Sequence, residues 1–272
     1  MSRFESELGV YAKRLSVGYS TIGKQGLLKI VSIMNYLQDA ASEHAHLIGR
    51  SGFDLADENL GWVIFRYHIE IKAHPRWQDE IIVRTRRFSC KNLYEIRLFN
   101  ITKDEKDKEE LVSAKGCWIM VNKKSGRPVR LSRFNTEQGG SYPETNYFEN
   151  SSVGLESYFS EVIRFKVPHY KLQFKVETHD LDLNGHVNNA VFVKWGVESV
   201  PESILANFFP AKIDVIFNKE SLYGDQIISQ TELCEVDDSL PLTLHSIKRQ
   251  QDNAELANIN ICWQRYVTNY VR

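Results

Sequence analysis

The chain has 272 residues, 42% of them hydrophobic and 11% aromatic, enough apolar side chain for one large core or two ordinary ones. Its 34 Lys and Arg against 35 Asp and Glu leave a formal charge of -1, so no global field selects nucleic acid or a membrane surface. The opening Met1–Glu7 carries acids where a signal peptide needs an apolar run. Nowhere do about 18 uncharged apolar residues follow one another, so a cytoplasmic protein without a membrane span is expected.

In chain order, Leu27, Ile30, Val31, Met34, Leu37 and Ala41 recur every three or four residues, the spacing of one helix face, and Gly49 supplies a stop. Val63, Phe65, Tyr67, Ile69 and Ile71 then alternate with Arg66, His68, Glu70 and Lys72, the pattern of a half-buried strand. Further strands are predicted at 80–88, 93–101 and 111–121, with the charged run Lys103–Glu110 as a solvated hairpin tip. Residues from about 132 to 160 are polar, with Gly139-Gly140 and Pro143 and no apolar period, and read as a linker. After it come a strand near 171–178, a helix from about 186 to 199, and strands near 211–219, 225–234, 241–250 and 255–267.

The two halves follow one plan, and landmarks recur at nearly constant separation: Asp79 and Asp225, Cys117-Trp118 and Cys262-Trp263, Leu111 and Leu256, Cys90 and Cys234. One helix laid across a curled antiparallel sheet covers the apolar face of both, the α+β hot-dog plan. A tandem, double hot-dog fold is therefore expected: a repeat at 1–131, a linker at 132–162 and a repeat at 163–272. Two copies in one chain mimic the dimer that single hot dogs form, and a further homodimer is left open. The four cysteines form no C-x-x-C pair, so reduced structural thiols are expected, with no metal and no cofactor.

The most informative stretch is Thr178-His-Asp-Leu-Asp-Leu-Asn-Gly-His-Val-Asn-Asn189, in which Asp182, Asn184 and His186 are spaced by two and lead into an amphipathic helix. Helix capping needs only one of these residues. An acid, an amide and an imidazole together suit thioester hydrolysis: a carboxylate takes a proton from water or attacks, an amide orients the water, and an imidazole protonates the leaving thiolate. N–H groups at the helix start would hold the oxyanion.

Asp182-Leu-Asn-Gly-His-Val-Asn-Asn, with Trp195 and Glu198-Ser199 downstream, resembles the signature of plant and bacterial acyl-ACP thioesterases. The resemblance extends over nearly the whole chain and implies hydrolysis of fatty acyl-[acyl carrier protein] to free fatty acid, with catalysis in the second repeat and the acyl cavity shaped by the first. The partner it implies is acyl carrier protein (ACP) bearing a fatty acyl-phosphopantetheine. The family's Glu-Cys pair matches Glu220 and Ser221, so Ser replaces Cys and a Cys-His-Asn mechanism is not available. The catalytic set implied is Asp182, Asn184, His186 and Glu220, with water as nucleophile. Candidates for acyl contacts are Met34, Leu37, Trp62 and Phe65, equally explained as core, with Asn188 and Trp195.

One difficulty arises from alternation. Ile213, Val215 and Phe217 share a face, so a regular strand would turn Glu220 away from them, beside Asp214 and Asn218. A bend or strand end must bring it inward. His44, His46, His68 and His74 lack ligand spacing and read as surface or satisfied core residues. Arg84–Arg87 with Lys91 could meet an acidic carrier, though a solvated strand face explains them as well. Two competing readings are an acyl-CoA thioesterase of the hot-dog class and a non-catalytic acyl-binding hot dog.

Overall fold

The computed structural model describes residues 3–5, 9–103, 109–134, 155–235 and 240–266. They divide into two units, one formed by Met1–Tyr67 and Lys72–Glu161, the other by His68–Ile71 and Val162–Arg272.

The first unit contains β1 (Arg3–Glu5), β2 (Val10–Ser16), α1 (Ile30–Leu47), β3 (Leu60–Ile71), β4 (Glu80–Cys90), β5 (Tyr94–Thr102) and β6 (Glu110–Asn122). Its strands lie in the order β1-β2-β4-β5-β6-β3, and α1 packs on β2 and β4. The helix starts at Ile30, later than the apolar face that opens at Leu27, because Leu27 is held in an isolated bridge to Arg76 and Leu28 donates its N–H to Pro75 O. Gly49 ends it as expected. With φ at 66° it reaches the left-handed region, where its N–H meets His46 O at 3.0 Å and that of Arg50 meets Ala45 O at 2.8 Å, a Schellman closure.

In β3 the alternation holds for Tyr67, Ile69 and Ile71, but Val63 is 49% exposed while Ile64 is buried, so the phase changes between Ile64 and Tyr67. The strand serves clusters of its own unit on two faces. Leu60 and Trp62 pack with Leu55, Met120 and Leu131, whereas Phe65 packs with Phe88, Cys90, Ile96, Cys117 and Phe159. The pairing of β5 with β6 from Thr102 and Glu110 inward forms the expected hairpin, whose residues 104–108 lie outside the described ones. Of the polar stretch read as a linker, 135–154 also lie outside them, while Leu155, Tyr158 and Phe159 pack on the first unit.

The second unit contains β7 (Tyr170–Lys175), α2 (Asn189–Glu198), α3 (Glu202–Asn207), β8 (Phe208–Phe217), β9 (Gln226–Glu235), β10 (Pro241–Arg249) and β11 (Glu255–Arg265). The order β2-β4-β5-β6-β3 with α1 recurs as β7-β9-β10-β11-β8 with α2, so each unit is a hot dog and the fold is a tandem one. The short α3 is an addition that sequence periodicity did not reveal; Pro201 stops α2 from continuing and stands at the N-cap of α3. Trp195, 1% exposed, anchors α2 between Phe174 and Phe192, with ring centroids at 5.8 Å and 5.4 Å.

Under α2 lies a buried polar layer. His245 meets Thr231 Oγ1 through Nδ1 and Thr243 Oγ1 through Nε2, both at 2.8 Å, and Trp263 Nε1 donates to Thr243 Oγ1 at 2.9 Å. Burial pushes the His245 pKa down from 6.5 to about 3, and burial with the nearby Arg97 and Arg87 does the same to His44 in the first unit. The unfolded chain takes up these protons below pH 6.5, whereas the folded chain does not until about 3. Their contribution to stability is therefore full above pH 6.5 and is lost as pH falls toward 3. Between pH 6.5 and 5, unfolding free energy should drop by about 1 kcal/mol per pH unit for each histidine. Urea titrations across that interval check this, and a flat profile would contradict neutral burial.

Candidate active site

The motif folds as a tight loop ahead of α2. Thr178–Asp180 form one 3-10 turn, closed by Glu177 and Asp180 bonding each other's backbone N–H groups. Leu181 and Val187 then pair in an isolated bridge, Asp182 N–H meets His186 O at 2.7 Å, and Gly185, with φ at 75°, donates to Asp182 O at 3.0 Å. The helix begins at Asn189 and not at 186, because Asn188 is its N-cap, its Oδ1 accepting the N–H of Ala190 at 2.9 Å. Asp182, Asn184 and His186 thus stand on the loop. Asp182 Oδ1 accepts the N–H groups of Asn184 at 2.8 Å and His186 at 3.2 Å.

Glu220 comes to this loop because β8 ends at Phe217. The N–H groups of Asn218 and Lys219 both reach Leu256 O, at 2.8 Å and 3.3 Å, which breaks the alternation that would have pointed Glu220 away. His186 is bridged to Leu222, and its Nδ1 lies 3.3 Å from Glu220 Oε2, the two side chains being 38% and 64% exposed.

Ser221 has a different job. It is fully buried, its carbonyl accepts the N–H of Val187 at 3.0 Å, and its hydroxyl donates to Asp225 Oδ2 at 2.7 Å. Burial would raise the Asp225 pKa, but the Leu222 N–H, the Ser221 hydroxyl and Arg249 outweigh it and hold the carboxyl below its usual range. A hydroxyl committed to a carboxylate and closed to solvent does not face a substrate. Ser221→Ala should therefore lower stability by about 1–3 kcal/mol while thiol release from a thioester substrate keeps most of its rate. A folded Ser221→Ala protein without activity would make Ser221 a participant in the chemistry.

Asp182, His186 and Glu220 are thus gathered on one frame with Asn184 on its exposed turn. Among the acyl-contact candidates, Met34 and Leu37 are buried on α1, Trp62 donates Nε1–H to Arg50 O at 2.9 Å, and Phe65 belongs to a separate cluster. Asn188 is engaged as a cap and Trp195 lies in the core of α2. Among the described residues, no group of three or more His, Cys, Asp or Glu is arranged to hold a metal ion, and no helix is long and apolar enough to cross a membrane.

The first unit contains the same backbone frame, a correspondence that repeat spacing alone did not reveal. Residues 17–29 correspond to 176–188, and 74–79 to 220–225. Val17 donates to Asp79 O at 2.9 Å as Val176 does to Asp225 O at 3.0 Å, and Leu28 donates to Pro75 O at 2.9 Å as Val187 does to Ser221 O at 3.0 Å. Gly23 N–H meets Leu27 O at 2.8 Å where Asp182 N–H meets His186 O at 2.7 Å. The isolated bridges Ile22–Leu28 and Leu27–Arg76 repeat as Leu181–Val187 and His186–Leu222. Asp79 and Asp225 play one role, each carboxylate accepting a backbone N–H three residues back, at 2.8 Å and 3.0 Å. At the candidate positions the side chains differ: Asp182 is matched by Gly23, Asn184 by Gln25, His186 by Leu27 and Glu220 by His74. In the first unit the frame folds without an Asp, Asn, His and Glu in those places, with Gln25 at a φ of 65° that Asn184 does not share.

Residues 9–134 match the family described as acyl-ACP thioesterase N-terminal domain, and residues 166–265 the acyl-ACP thioesterase C-terminal domain. The chain is 27% identical over 247 residues to the oleoyl-acyl carrier protein thioesterase of Coriandrum sativum, an alignment covering 86% of this chain and 65% of that protein. It is 23% identical over 271 residues to the dodecanoyl-[acyl-carrier-protein] hydrolase of Cinnamomum camphora, covering 97% of this chain and 70% of the relative. The fold superposes on the 12:0-ACP thioesterase of Umbellularia californica with a TM-score of 0.81 at 20% identity, covering 94% of each chain.

Proposed function

This chain belongs to the acyl-ACP thioesterase family, and we propose that it hydrolyses the thioester of a fatty acyl chain carried on ACP, with Asp182, Asn184, His186 and Glu220 as the active site. The observation that carries the assignment of residues is the doubled frame: at the candidate positions only the second copy has carboxylates, Asp182 and Glu220, against Gly23 and His74 in the first, and only there does an imidazole stand beside one, His186 Nδ1 lying 3.3 Å from Glu220. An acid, an amide and an imidazole kept within reach of solvent on one tight loop, with Glu220 beside them, are the groups that thioester hydrolysis needs.

In the proposed reaction a water oxygen attacks the thioester carbonyl carbon while a carboxylate of the pair Asp182 and Glu220 accepts its proton. Asn184 orients the water. The tetrahedral intermediate collapses with cleavage of the C–S bond, and His186 gives a proton to the departing sulfur. Where Glu220 is the acceptor, it passes that proton to His186 Nδ1 across their 3.3 Å contact as Nε2–H goes to sulfur, and where Asp182 is, the proton leaves to solvent and His186 recovers one from it; either way one water is consumed and a carboxylic acid and a thiol are formed. We assign catalysis to the second unit, acyl binding to the first, and the setting to the cytoplasm, where acyl-ACP would be supplied.

The test is thiol release from matched acyl-ACP and acyl-CoA across chain lengths. Faster release from acyl-ACP is the expected result. Release from acyl-CoA alone would assign the site to acyl-CoA thioesters, and tight acyl binding without release from either would make this an acyl-binding hot dog.

A further inference from the structure

The two frames carry opposite charge. In the second, 176–188 and 220–225 contain Glu177, Asp180, Asp182, Glu220 and Asp225 and no Lys or Arg. In the first, the matching 17–29 and 74–79 contain Lys24, Lys29 and Arg76 and one acid, Asp79, which is engaged by the Arg76 N–H at 2.8 Å and by Lys103 at 3.2 Å. Two aromatic rings also stand out of the first frame. Tyr19 is 76% exposed and Trp77 51%, edge to face at 6.0 Å, where the second frame has Thr178 and a single exposed ring, Tyr223 at 64%. Lys24 and Lys29 are exposed beside them.

We propose that this first frame, which lacks the carboxylates of the second at the candidate positions, is the docking face for the acidic surface of the carrier protein. The inference rests on the acyl-ACP reading above. Basic residues around exposed aromatic anchors suit a partner of negative charge, steering its approach and giving it apolar contact. The second frame carries five acids, of which Asp225 is held by Ser221 at 2.7 Å and Arg249 at 3.4 Å, and offers such a partner no Lys or Arg of its own. In the basic stretch Arg84–Arg87 with Lys91, Arg84 donates to Thr102 Oγ1 at 2.8 Å and Arg87 meets Glu95 at 3.0 Å with its side chain 6% exposed, which leaves Arg86 and Lys91 exposed without a pair of exposed aromatic rings in that stretch.

The experiment compares wild type, Lys24→Glu/Lys29→Glu, and the control pair Lys171→Glu/Lys175→Glu on β7, using acyl-ACP and the small thioester acyl-pantetheine. The first double variant should raise KM for acyl-ACP about tenfold, with kcat and the KM for acyl-pantetheine unchanged and the difference shrinking at high salt. An unchanged KM for acyl-ACP, or a larger effect from the control pair, overturns the proposal. Should wild type hydrolyse neither thioester, the reading of function fails on its own. Docking is then measured as direct binding of ACP, with about tenfold weaker binding by Lys24→Glu/Lys29→Glu expected and equal binding decisive against it.

Discussion

Asp182→Asn is expected to lower kcat on acyl-ACP about 10³-fold while the protein keeps its fold. The substitution retains an oxygen at the position of Oδ1, which accepts the N–H groups of Asn184 and His186, and removes the charge and the ability to take a proton. The corresponding turn of the first unit, with Gln25 at a φ of 65°, closes with Gly23 and no carboxylate, Gly23 O accepting the Gly26 N–H at 3.1 Å as Asp182 O accepts that of Gly185 at 3.0 Å. Loss of rate and loss of structure are therefore separable in one variant. Single-turnover kinetics beside a thermal melt make the measurement. A variant within tenfold of wild type would reduce Asp182 to a residue that shapes the loop and leave Glu220 as the base.

How much of this was legible in the sequence differs from residue to residue, for physical reasons. The strands and the central helices follow from periodicity, and Gly49 announced a helix stop because few other residues enter the left-handed region cheaply. The repeat was visible through Cys90 and Cys234 or Asp79 and Asp225, which lie after the helices and keep a steady separation near 145. The copied loop was not, because Val17 and Val176 are separated by 159 residues while His74 and Glu220 are separated by 146. Much of that change falls on the helices, 18 residues in α1 and 10 in α2. Scanning the two loops at their own separation would have exposed Gly23, Gln25 and Leu27 opposite Asp182, Asn184 and His186.

The orientation of Glu220 was a different kind of problem. It depends on two successive N–H groups sharing Leu256 O, a tertiary arrangement that no residue between Phe217 and Glu220 encodes by type. The same holds for His245, whose neutral burial requires Thr231 and Thr243 from neighbouring positions of the sheet. Side-chain identity suggests which groups are available for chemistry. Where a strand stops, and which hydroxyl stands opposite an imidazole, is decided by packing.

Glu220→Gln is expected to cost about 10²-fold or more in kcat and little in stability. The pair it forms with His186 is substantially solvated, with the carboxylate side chain 64% exposed, and such pairs contribute at most about 1 kcal/mol to folding. The first unit confirms that the frame needs no such pair, since Leu27 and His74 occupy the two positions. In the proposed reaction the carboxylate fixes which imidazole nitrogen carries the proton that the sulfur receives, and it is the group from which His186 recovers it. A glutamine amide can still accept a hydrogen bond from Nδ1–H but cannot return a proton. The variant should thus bind acyl-ACP with KM little changed and lose kcat. Stability and rate falling together would instead give Glu220 a structural role. If Glu220→Gln kept full kcat while Asp182→Asn lost it, Asp182 would be the acid that activates water, with His186 reprotonated from solvent.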